Sequence, residues 1–155
     1  MRVVLDTNVL VRATKNATGP ARELLGLLQA DPHVLVISRE MLVELVRVLD
    51  YPRLVQQHRL TSEERQEFAT SLDRAAEHVT LPPGTPAAIS SDPDDNFVVQ
   101  TGVAGQVNVI CTRDRHLLHP IVQAYCAQFG IRVLRDTELL DELRRTSSGD
   151  KATGQ

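Results

Sequence analysis

Hydrophobic residues along the chain fall into short unbroken runs, separated by longer stretches where they recur every three or four positions. The runs Arg2–Leu5, His33–Ile37, His78–Leu81, Val107–Cys111 and Ile131–Leu134 predict strands. Runs without polar alternation suit strands covered on both faces, as in a parallel sheet. Between them, Gly19-Pro20 opens a helix with Leu24, Leu25, Leu27 and Leu28 as its apolar stripe, and Asp31-Pro32 stops it. Ser38 caps a helix reaching Leu49, which Asp50-Tyr51-Pro52 breaks. Thr61-Ser62-Glu63-Glu64 has the form of a capping box and predicts a helix from Ser62 to about Glu77. After an exposed Pro82–Pro86 loop, Asp92 caps a further helix with Pro93 in its first position. Helices over Ile121–Phe129 and from Asp136-Thr137 to about Arg145 complete the alternation. Strands alternating with helices predict an α/β domain, a three-layer α/β/α sandwich around a mainly parallel central sheet. It should occupy residues 1–145, with 146–155 a disordered tail that has nothing to bury.

Composition narrows the function. With 155 residues, 42% of them hydrophobic, the chain can form one core of ordinary size. Aromatics make up only 3% and Trp is absent, which argues against stacking platforms for single-stranded nucleic acid. The formal charge of −3 gives no basic footprint, so a nucleic-acid partner requires bound cations that reverse the sign locally. Cys111 and Cys126 are isolated thiols, Cys111 within an apolar run, which suits a reduced, cytoplasmic protein. No stretch approaches the ~20 apolar residues of a membrane helix. Asp6 interrupts the first apolar run, so the N-terminus does not read as a signal peptide.

The chemistry lies in the acids. Asp6 follows the first strand directly and Asp114 follows the fourth. Glu44 lies on a helix, and Asp92, Asp94 and Asp95 crowd a helix start. Open α/β sheets bind ligands in the crevice beyond the carboxyl ends of their strands. Carboxylates gathered there repel unless a cation sits between them, and oxygen donors without a His or Cys cluster suit Mg²⁺ or Mn²⁺. Each acid also has an ordinary reading. Asp6 and Asp92 can be helix caps, and Asp114 can be a loop residue. Glu44 borders the apolar arc of Leu42, Leu45, Val46, Val48 and Leu49, where it can pair with Arg47 or enter a cleft. Three acids within four residues exceed what one cap needs. Arg12, Lys15, Arg113, Arg115 and His116 lie near the acids in sequence, as phosphate-steering groups or as plain surface charge.

Together these residues resemble the PIN-domain nucleases, in particular the single-domain toxin-like branch related to VapC ribonucleases, over Met1–Leu143. Arg2-Val3-Val4-Leu5-Asp6-Thr7-Asn8-Val9-Leu10 resembles the family's first strand with its first metal-binding Asp. Glu44–Leu49 resembles the helix with the second acid. Asp92-Pro93-Asp94-Asp95-Asn96 resembles the stretch with the third, placed at Asp95 with Asp92 as rival or auxiliary. Thr112-Arg113-Asp114 resembles the strand end with the fourth. The resemblance implies Mg²⁺ or Mn²⁺ held by Asp6, Asp95 and Asp114, with Glu44 direct or through water, and Asn8 and Thr112 as auxiliary residues. It implies an endoribonuclease that hydrolyses RNA phosphodiesters, acting as a cytoplasmic toxin with a cognate antitoxin and forming a homodimer. The competing expectations are a DNA-directed or structure-specific nuclease and a catalytically silent RNA- or protein-binding module. A receiver domain, which also carries acids at strand ends, is a more distant alternative.

Overall fold

In the computed structural model, the backbone is described for residues 1–83 and 93–152 and the side chains for 1–83 and 96–149. The five strands are β1 (Arg2–Leu5), β2 (Val34–Ser38), β3 (Glu77–Val79), β4 (Val109–Cys111) and β5 (Arg132–Leu134). They form one sheet in the order β3-β2-β1-β4-β5, with every neighbouring pair parallel. The connections run outward one way from β1 through β2 to β3. They then return to the other side of β1 as β4 and β5. The strand order therefore reverses between β1 and β4, and a ligand crevice belongs at the carboxyl ends of those two strands. A receiver domain would have the order 2-1-3-4-5, so this topology removes that alternative.

Alternate strand residues feed two cores. Val3, Leu5, Leu35, Val109 and Cys111 pack with Leu24, Leu25 and Leu28 of α2 (Pro20–Leu28) and with Leu139 and Leu143 of α8 (Asp136–Ala152). Val4, Val36 and Ile110 pack on the other face with Val98 and Val99 of α6 (Pro93–Ala104) and with Val122 and Cys126 of α7 (Pro120–Ala127). This is the three-layer sandwich. Helix α3 (Arg39–Leu49) gives Met41 to the second core and Leu45 and Leu49 to the first, so it passes from one face to the other beside the sheet. Gly105 lets α6 settle on the sheet, because a Cβ there would come within 2.6 Å of Val36 Cγ1.

Several boundaries differ from the sequence expectation. A four-residue helix, α1 (Thr7–Leu10), and a 3-10 turn over Val11–Ala13 follow β1 directly. Helix α4 (Pro52–His58) fills a stretch for which periodicity predicted no element. Its Pro52 holds the first helical position, so the residue that bars α3 from continuing also starts α4. Helix α5 (Ser62–Ala75) carries the expected capping box, with Thr61 and Glu64 each accepting from the other's backbone N–H. It stops two residues before Glu77, which frees Glu77–Val79 to pair with β2. Helix α8 continues to Ala152 through residues assigned to a disordered tail. There the hydroxyls of Thr146, Ser147 and Ser148 hydrogen-bond back to the carbonyls of Leu143 and Arg144 within the helix. The Pro82–Pro86 loop lies mostly outside the described residues. Among those described, no helix is long and apolar enough to cross a membrane.

Both cysteines are wholly buried and unbridged. Burial raises the Cys126 thiol to about 11. Cys111 is pushed up further, first by burial and then by the charges of Asp136 and Asp6. Only the thiolate reacts, and neither forms at neutral pH. Ellman's reagent at pH 8 is expected to leave both untouched in the folded protein and to titrate both in denaturant. Rapid labelling of either before unfolding would contradict this packing.

Candidate active site

The crevice between β1 and β4 is a cleft of ≈ 470 Å³, lined in part by Asp6, Asn8, Glu44 and Asp114. Asp6 arrives there because β1 ends at Leu5 and its chain turns at once into α1. It is only 6% exposed. Its Oδ1 accepts from the Thr7 backbone N–H at 2.7 Å, and its Oδ2 accepts from the Thr112 hydroxyl at 2.7 Å. The capping and cleft readings of Asp6 are therefore both true, since one carboxylate caps α1 and also faces the cleft.

Thr112 is fully buried and ties two acids together. While its hydroxyl donates to Asp6, the same oxygen accepts from the Asp114 backbone N–H at 2.9 Å. The Asp114 carboxylate accepts from the His116 N–H at 2.8 Å and stays half-buried in the cleft wall. The Asn8 carbonyl oxygen accepts from the Arg113 N–H at 3.2 Å, which holds the strand-end loop against α1. Asp136, buried at the start of α8, lies 3.7 Å from the Arg113 guanidinium and anchors the loop from the opposite side.

Glu44 also lines the cleft. It is half-buried, and its Oε2 accepts from the Thr7 hydroxyl at 3.4 Å. Periodicity left Glu44 undecided; the passage of α3 across the sheet edge turns this margin of the helix toward Asp6. Glu40 is exposed on the same helix.

The backbone of Asp95 sits in the first turn of α6, but its side chain, like Asp94's, lies outside the described residues, as does the whole of Asp92. Among the described residues, no three acidic, imidazole or thiol groups gather tightly enough to hold an ion. Three carboxylates nonetheless share one cleft, and such oxygen donors match Mg²⁺ or Mn²⁺ rather than zinc. In donor chemistry the residues fit the metal.

Of the basic residues near the acids in sequence, only Arg12 lines the cleft. Lys15 is paired with Glu64 on α5, and Arg113 with Asp136. Helix α4 contributes Arg53, Leu54 and Gln57 to the same lining. That helix is pinned by its buried last residue, His58. The His58 Nδ1 accepts from the Leu60 N–H at 3.0 Å, which leaves Nε2 to donate to the Leu49 carbonyl at 2.9 Å. Sequence reading missed Arg53 and Gln57 because it missed α4. The Pro52 start with Leu54, Val55 and His58 on one side was the available signal.

Comparison with known proteins places this geometry. A sequence profile described as the PIN domain matches residues 2–116. A chain in the crystal structure of VapBC2 from Rickettsia felis, bound to a DNA fragment from their promoter, superposes with a TM-score of 0.54 at 15% identity. The match covers 87% of this chain and 98% of that one, a likeness of fold. Comparison with curated protein sequences returned no match.

Proposed function

This chain belongs to the PIN-domain family, and from that premise we propose that it is a Mg²⁺- or Mn²⁺-dependent endoribonuclease, the toxin of a toxin–antitoxin pair. The observation that carries the reading is the shared cleft of Asp6, Glu44 and Asp114 at the point where the strand order reverses. These are three of the four acids that the resemblance to VapC-like ribonucleases names. Asp95, on the first turn of α6, is the fourth, with Asp92 as the rival position.

In this reading Asp6, Asp95 and Asp114 would hold the cation, with Glu44 direct or through water. A bound divalent ion supplies activation of a water nucleophile and neutralises charge on the phosphate and leaving oxygen. It also makes an acidic cleft acceptable to a polyanion. The chain's own contribution is orientation. The Thr112 hydroxyl occupies one lone pair of Asp6 Oδ2 and fixes the rotamer of that carboxylate. The Thr7 hydroxyl does the same for Glu44. Because Thr112 also holds the Asp114 backbone, the carboxylates from β1 and β4 are set as one unit before a ligand arrives.

The antitoxin belongs to the proposal by analogy with the VapBC2 complex. An apolar strip beside Glu44, formed by Val43 (61% exposed) and Val46 (50% exposed), offers a partner something to cover. A homodimer and a cytoplasmic location complete the reading.

One gel tests it. Structured RNA and matched single-stranded DNA are incubated with the protein in Mg²⁺ or in EDTA. Endonucleolytic cleavage of RNA, in Mg²⁺ alone, is expected. Cleavage of DNA alone would make it a DNA-directed nuclease. No cleavage of either by folded protein would make it a silent binding module.

A further inference from the structure

We infer that Arg12 and Arg53 form a clamp for a backbone phosphate of the bound strand, next to the phosphate held over the acids. Arg12 comes from the 3-10 turn after α1 and Arg53 from the first turn of α4, and both line the cleft that holds Asp6, Glu44 and Asp114. Neither guanidinium forms an ion pair or hydrogen bond among the described residues, although three carboxylates share their cleft. Where acids lie within reach, arginines of this chain do pair with them, as Arg2 does with Glu77, Arg65 with Asp50, Arg132 with Glu142 and Arg144 with Glu23. Two exposed guanidiniums without a paired acid share one concavity with three carboxylates, so the cleft carries groups of both signs. With a divalent cation covering the acids, as the nuclease reading requires, the whole cleft favours negative charge, and a ligand that spans it carries repeated negative charge, as a polynucleotide strand does. Guanidinium matches phosphate with paired N–H donors.

Among the described residues no aromatic ring lines the cleft, so those residues offer bases no platform and the contact is led by the backbone. The clamp was hidden in the sequence because its two halves stand about forty residues apart, and one lies on a helix that periodicity did not predict. The inference deepens the nuclease reading and rests on it in taking the ligand to be a nucleic-acid strand.

The test separates binding from chemistry. A labelled, 2′-O-methylated single-stranded RNA, which resists cleavage, is titrated by fluorescence anisotropy in Ca²⁺ over a range of salt. Proteins compared are the wild type, Arg12→Ala, Arg53→Ala, the double variant, Arg53→Lys and the exposed α5 control Arg74→Ala. Loss of one charged hydrogen-bonding group predicts about tenfold weaker binding for each alanine variant. Each lost phosphate contact should also lower the slope of log Kd against log salt by about 0.7. Arg53→Lys should restore the slope while recovering only part of the affinity, because ammonium keeps the charge and loses the fork. Arg74→Ala should match the wild type in both.

Alanine variants that bind like Arg74→Ala, with the wild-type slope, would overturn the clamp, as would failure of the wild type to bind. Equal arginine-dependent binding of polyglutamate and RNA would overturn the assignment to phosphate. Arginine-dependent RNA binding without any cleavage of unmodified RNA in Mg²⁺ would end the nuclease reading and leave the clamp in place.

Discussion

Asp6→Asn is expected to lower RNA cleavage by about a thousandfold, equivalent to ~4 kcal/mol of transition-state stabilisation, while the protein stays folded. Asn matches Asp in shape, and its carbonyl oxygen can still accept from the Thr7 N–H, now 2.7 Å from Asp6 Oδ1. Its amide would face the Thr112 hydroxyl, which can turn to accept. The structural loss is thus one charge-assisted bond, about 1.5–3 kcal/mol. Removing one of several neighbouring carboxylates acts in the opposite direction. What Asn cannot replace is the charge that a hard cation needs at this position.

A melting experiment gives the second readout. A cation that binds only the folded state stabilises the wild type by about 2.7 kcal/mol at a hundredfold excess over its Kd. Most of that shift should vanish in Asp6→Asn. Glu44→Gln should follow Asp6→Asn in activity, whereas Glu40→Gln, on the exposed side of α3, should behave as wild type. Cleavage by Asp6→Asn within tenfold of the wild type, or a wild-type melt indifferent to Mg²⁺ and Mn²⁺, would remove Asp6 from the catalytic assignment.

Thr112→Val should cost both stability and activity. Valine fills the same volume, so no cavity opens at this fully buried position. It removes the donor to Asp6 Oδ2 and the acceptor for the Asp114 N–H together. At about 1–3 kcal/mol for the buried Asp6 oxygen and about 1 kcal/mol for the part-buried Asp114 N–H, a loss of roughly 2–4 kcal/mol is expected. For a domain of this size that is a fall in Tm of roughly 5–15 °C. Cleavage should fall with it even at temperatures where the variant is folded, because Asp6 and Asp114 are no longer set as a pair. Thr112→Ser keeps both hydrogen bonds and loses one methyl group, so it should retain cleavage at a cost of about 1 kcal/mol. A valine variant with wild-type melting and wild-type cleavage would show that the hydroxyl bridge is incidental.

The sequence by itself determined the strands and most of the helices, and with them the layer architecture. Runs such as Val3-Val4-Leu5 and Val109-Ile110-Cys111 have no polar face, so they admit little except a central strand covered by helices on both sides. Local capping chemistry at Ser38 and Thr61 fixed two helix starts to the residue, because those bonds are made within a few positions along the chain. The immediate succession of Asp6 after β1, and of Thr112-Arg113-Asp114 after β4, was likewise legible.

What only the tertiary structure decided is which of these groups meet. Periodicity placed Glu44 at the margin of an apolar arc, where solvent and cleft are equivalent. The passage of α3 between the two cores made the choice. The Thr112 bridge joins residues more than a hundred positions apart, and the parallel pairing of β1 with β4 creates it. Helix α4 is too short to be stable on its own pattern. Its existence depends on His58 reaching back nine residues to the Leu49 carbonyl at the end of α3, a contact between two helices that the pattern of α4 alone does not show, and Arg53 stands on the cleft wall only because of that anchor.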